Sequence, residues 1–102
     1  MKLERANNPV DKITTKQITP DEAKKLGVDS WSTWECEPMV FDWYYSTQET
    51  AYVFEGDVTV TAGGEETRIL PGMLVRFPEG LSCTWDVKKT IRKAYTFRPV
   101  EE

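Results

Sequence analysis

The chain has 102 residues, 39% of them hydrophobic and 12 aromatic by count, enough for one domain with a modest core. Acidic residues outnumber basic ones 17 to 13, leaving a formal charge of −4 and none of the basic surface that nucleic-acid phosphates require. Its apolar runs are only a few residues long, far short of the roughly 20 that span a bilayer, and it contains no histidine, which removes imidazole nucleophile systems, general bases and metal ligands together.

Residues 1–18 are polar and interrupted by Pro9. They read as an arm, with 13–15 able to make a short edge strand, and a single barrel domain then fills 19–102. The opening MKLERANNPVDK lacks the apolar block of a secretory leader. With Cys36 and Cys83 at 47 positions' separation and no CxxC spacing, two reduced thiols and a cytoplasmic location are expected, or an organellar one if a transit peptide has been removed.

Thr19-Pro20-Asp21-Glu22 carries the signature of a helix start, with Thr19 as cap, proline in the first turn and Glu22 closing a capping box. Gly27 ends that helix after barely two turns. Residues 31–36 suit a strand with Trp34 and Cys36 on one face, and Pro38 breaks it. Residues 41–45 alternate again, placing Phe41, Trp43 and Tyr45 on one side and Asp42 and Tyr44 on the other.

After the polar break at 46–48, Glu49 stands at the head of the apolar run Ala51, Tyr52, Val53, Phe54, which closes on Glu55-Gly56. A carboxylate leading into a strand buried on both faces is unfavourable unless it is paired or used. Strands follow over 57–61 and 67–70, joined by a tight connection through Gly63-Gly64, then over 73–77 after Pro71-Gly72. Pro78-Glu79-Gly80 leads into 81–87, where Cys83, Trp85 and Val87 share a face, and a last strand over 91–97 comes after Lys88-Lys89-Thr90. Eight or so short strands and one minor helix make this an all-β chain, a small antiparallel barrel or sandwich.

Six residues separate Glu49 from Gly56, three separate Tyr45 from Glu49, and Gly72, Pro78 and Gly80 have a fixed spacing of their own. These intervals resemble the two motifs of the cupins. In that resemblance the imidazole positions fall on Trp43, Tyr45 and Cys83, the closing asparagine on Val87 and the opening glycine on Glu37. Only Glu49 keeps its type. The stretches FDWYYSTQET and FPEGLSCTW look most like the small single-domain cupins grouped with the ureidoglycine aminohydrolase cupin domain and with ethanolamine-utilisation cupins, across residues 20–98.

The resemblance implies a jelly-roll barrel with Trp43, Tyr45, Glu49 and Cys83 converging inside, Trp85 on the same face as Cys83, and Tyr95 as a further lining residue. The alternation leaves open whether Arg92 or Lys93 points inward. No metal and no cofactor are expected, since one carboxylate, one phenol and one thiol make a poor donor set without imidazole. Trp43 and Trp85 can be core packing or stacking platforms, and Tyr45 can simply donate to Glu49. Cys83 is either a small buried hydrophobe or a nucleophile that a neighbouring carboxylate would disfavour.

Glu49 is the stronger candidate, as a hydrogen-bond acceptor for a ligand or an acid/base group. The leading expectation is metal-free binding of a small polar metabolite by Trp43, Tyr45, Glu49, Cys83, Trp85 and Tyr95, with Glu49 and Cys83 the candidate catalytic groups. The alternatives are a metal-dependent aminohydrolase, isomerase or lyase, and a non-catalytic interaction module. In that last alternative, outer-face aromatics such as Tyr44, Tyr52 and Phe54 build a dimer or a larger assembly, and the cupin resemblance implies a sheet-to-sheet homodimer whichever function holds. Neither nucleic acid nor membrane is an expected partner.

Overall fold

The computed structural model describes residues 12–100. Seven strands and one helix follow in the order β1 (Thr14–Gln17), α1 (Pro20–Leu26), a 3-10 turn (Val28–Ser30), β2 (Ser32–Cys36), β3 (Met39–Tyr44), β4 (Glu49–Ala62), β5 (Glu65–Ile69), β6 (Met73–Phe77) and β7 (Ser82–Thr96). All strand pairings are antiparallel.

Two long strands, β4 of 14 residues and β7 of 15, form the trunk, paired from Thr50 opposite Thr96 to Thr61 opposite Thr84. Here the structure corrects the sequence reading, which divided each of them in two. Gly56 ends no strand, and Lys88-Lys89-Thr90 lies inside β7. The register slips on both sides of Gly56, where the backbone has φ +124° and a Cβ would stand 2.7 Å from the Cα of Ile91. Only glycine allows so close an approach, and the irregularity bends the paired strands together.

Because the trunk bends, its halves belong to different layers. One layer runs β1-β6-β4-β7-β2, while β5 and β3 flank the other halves of β4 and β7. Between them lies the main core, which includes Val53, Val58, Val60, Ile69, Val75, Phe77, Trp85 and Ile91. This is the all-β sandwich the residue alternation predicts, with a single short helix near its start.

The capping box forms as expected: the Thr19 hydroxyl accepts from the Glu22 N–H at 3.1 Å, and the Glu22 carboxylate accepts from the Thr19 N–H at 2.8 Å. The helix and the turn after it press Ala23, Val28 and Trp31 onto Tyr52, Leu74 and Ala94, with Phe54 at the margin. Tyr52 is therefore covered by the protein's own helix and unavailable as the outer-face contact that the sequence suggested, whereas Tyr44 is exposed. Part of the arm, β1, pairs with β6 as an edge strand; residues 1–11 lie outside the described residues.

Candidate functional site

Glu49 is the first residue of β4, and its carboxylate points into the sandwich in phase with Ala51 and Val53. On β7, Ile91, Lys93 and Tyr95 share the inward phase, which settles the choice the sequence left open. Arg92 turns outward, pairs with Glu55 at 3.0 Å and lies over the Phe54 ring. Lys93 turns inward and its Nζ donates to Glu49 Oε2 at 2.6 Å, with only 7% and 8% of the two side chains exposed.

Aromatic rings enclose this ion pair. The Lys93 Nζ stands 5.0 Å from the Trp85 ring centre, 5.2 Å from Trp34 and 5.6 Å from both Phe77 and Tyr95. The electron-rich ring faces favour the ammonium form and compensate part of its lost hydration. Burial pulls Lys93 below the ordinary lysine range, and the Glu49 carboxylate opposes that pull. Among the described residues, Lys93 is the one hydrogen-bond donor to the Glu49 carboxylate.

The pair forms the floor of a cavity of about 190 Å³. Its walls are aromatic: Trp34 from β2, Phe41 and Trp43 from β3, Tyr45 just beyond, Trp85 and Tyr95 from β7, and Phe97. Phe41 stacks on Trp85 with ring centres 6.0 Å apart, and Tyr45 stacks on Phe77 at 4.6 Å. Trp43 is half exposed and meets Phe41 and Tyr45 edge-on, which places it at the mouth.

Of the residues expected to meet here, Trp43, Tyr45, Glu49, Trp85 and Tyr95 do line the cavity. Cys83 does not. It lies opposite Trp43 in the ladder, with its thiol directed at the Trp43 carbonyl oxygen 3.6 Å away, and it borders an open groove with Asp42 and Tyr44. Burial pushes that thiol up and Asp42 adds to the effect, while a Trp85 hydrogen bond and the Lys93 charge oppose it. Burial likewise drives the Tyr45 phenol far above its ordinary range, reinforced by Glu49 and Cys83, while a Trp85 hydrogen bond opposes the shift.

Sequence reasoning missed Trp34, Phe41 and Phe97 as lining residues and left Lys93 undecided. A signal for Lys93 was available, because it lies in register with the apolar Ile91 and shares that residue's face. The cupin resemblance raises the question of a metal, and the donor set does not fit one. Imidazole is absent, the one carboxylate is already held by an ammonium, and among the described residues no group of three potential acidic or thiol ligands comes together. No helix among the described residues is long and apolar enough to cross a membrane.

Comparison with known proteins places this geometry in a family. The family model described as the EutQ-like cupin domain matches residues 23–95. Among solved structures, a DUF861 family protein from Thermotoga maritima is 43% identical, covers 85% of this chain and 100% of its own, and superposes with a TM-score of 0.82. The EutQ protein of Clostridium difficile is 25% identical over 87% of this chain and 69% of its own, with a TM-score of 0.59. A putative ethanolamine utilization protein Q from Salmonella typhimurium, at 19% identity and a TM-score of 0.59, shares the fold over 87% of this chain and 71% of its own. No curated protein matches the chain. With the family match running from the helix to the end of the trunk, this chain belongs to the EutQ-like cupins.

Proposed function

We propose that the protein binds a small, flat, polar metabolite in the aromatic-walled cavity without a metal, with Glu49 and Lys93 fixing its polar edge. The observation that carries this reading is the buried Glu49–Lys93 pair, open to a cavity large enough for a single ring or a short chain. A buried ion pair is often no more stabilising than apolar residues of the same volume, so retaining one on the floor of a cavity favours use over packing. Trp43, Trp85 and Phe41 offer ring faces for stacking, and Tyr45, kept as a neutral phenol, offers a donor.

The Salmonella relative's name refers to ethanolamine utilisation, and we carry over from it no more than a link to small-metabolite chemistry. An aminohydrolase, isomerase or lyase using a transition metal lacks a donor set here; a stoichiometric metal in elemental analysis of purified protein would restore that reading. Two free thiols, Cys36 and Cys83, favour a reducing, intracellular setting. Self-association through β3 is part of the proposal, since among the described residues this strand pairs with β7 on one edge only and exposes Met39, Val40 and Tyr44.

Thermal-shift screening against small polar metabolites tests the binding reading. A hit should raise the melting temperature of the wild type, raise it less in Trp43→Ala, and leave Glu49→Gln unmoved while its far-UV circular dichroism stays native. Equal shifts in wild type and Glu49→Gln would take the ion pair out of the site.

A further inference from the structure

The amine of Lys93 stands where a lysine can do covalent chemistry. It lines the cavity, a single carboxylate oxygen lies 2.6 Å from Nζ, and the rings of Trp34, Phe77, Trp85 and Tyr95 crowd its other sides. Desolvation in an apolar pocket is one of the ways proteins make a lysine nucleophilic, because it favours the neutral amine. Burial acts on Lys93 in that direction, against the opposing pull of the Glu49 carboxylate and the ring faces. A base within hydrogen-bond reach of the proton to be removed completes the requirement, and Glu49 is that base.

On the reading that the cavity takes up a small molecule, we propose that Lys93 condenses with the carbonyl group of a small aldehyde or ketone to form an imine, Glu49 moving the protons. Glu49 takes one proton from the ammonium, and the freed nitrogen lone pair forms the C–N bond as the carbonyl π pair moves onto oxygen. That proton then passes from Glu49 to the alkoxide, giving a carbinolamine. A second proton leaves nitrogen for Glu49 and is delivered to the hydroxyl group, which departs as water while the nitrogen lone pair closes the C=N bond. The product is a protonated imine beside the Glu49 carboxylate. Three protons on nitrogen have become one on nitrogen and two in water, and the charge of the site is the same before and after.

The cavity limits which carbonyls fit. At about 190 Å³ it is slightly larger than the roughly 150 Å³ apolar cavity that accommodates a benzene ring, so the preferred partner has one flat ring or a short chain. Its body would lie against Phe41, Trp43 and Trp85, with the carbonyl carbon directed at Nζ.

Benzaldehyde with sodium cyanoborohydride, applied to the full chain and followed by peptide mapping, tests the step. Lys93 should acquire a benzyl group at least about tenfold faster than any exposed lysine, Glu49→Gln should slow that labelling about a hundredfold, and Lys93→Arg should abolish it. Benzyl alcohol, nearly the same size but without the carbonyl, reports occupancy through tryptophan fluorescence. If benzyl alcohol binds while labelling is spread evenly over the lysines, the imine falls and the binding reading stands. If neither binding nor selective labelling occurs, both fall. Selective labelling at an unchanged rate in Glu49→Gln would overturn the proton-transfer role of Glu49.

Discussion

Replacing Glu49 with leucine leaves the buried Lys93 ammonium without a carboxylate partner among the described residues, and losing one member of a buried pair costs about 3–5 kcal/mol. Glu49→Leu should therefore lower the urea midpoint sharply. The double variant Glu49→Leu/Lys93→Met should recover most or all of the loss, because a well-packed apolar pair of similar volume is often neutral or better. Tyr45 gives a pH prediction. Its phenol is held above its unfolded value, so its contribution to stability is fully present below about pH 10 and is lost as the pH rises beyond that. In an alkaline absorbance titration, Tyr45→Phe should leave the phenolate amplitude before unfolding unchanged. Glu49 could be picked out from the sequence because a lone acid heading an apolar strand needs a reason. Trp85 and Tyr95 were reached through the cupin resemblance, with strand phase putting Trp85 on the face of Cys83. Lys93 was harder, since its partner lies 44 residues away and the contact follows only from β4 lying beside β7. Phase gave Cys83 the correct face, but phase cannot give depth, and the Trp43 backbone stands in front of its thiol.

The register irregularities of the trunk lie between Val53 and Val58, around Gly56. Gly56→Ala would place a methyl group against the Ile91 backbone at a φ that L side chains rarely adopt, and should destabilise the fold by about 3 kcal/mol or more. Gly63→Ala is the control. It has positive φ with open space around it, so about 1 kcal/mol is expected, and comparing the two denaturation midpoints separates backbone strain from collision. At the helix, Thr19→Ala should cost about 1 kcal/mol by removing the side-chain half of the capping box. Short-range chemistry made that helix readable to the residue. Strand ends were less so: a glycine inside a β pattern signals a turn and a bulge alike, and only the facing strand decides between them.

At the scale of the molecule, the exposed apolar edge of β3 predicts a solution mass near twice 11.8 kDa by light scattering, and Tyr44→Lys should return it toward the single-chain value. A mass near that of one chain for the unmodified protein would remove this interface. The layered architecture could be read early because alternation and turn residues recur along the whole chain, whereas the helix packing over Tyr52 could not, since nothing local marks which outer face a short helix will choose. The division of labour around the ion pair has one more consequence. Both charges sit on the two central strands, while Trp34, Phe41 and Trp43 come from peripheral strands and Phe97 follows the end of β7. Descendants of this chain can thus exchange those outlying side chains, and with them the shape of the hollow, while the ion pair and the framework that holds it are inherited intact.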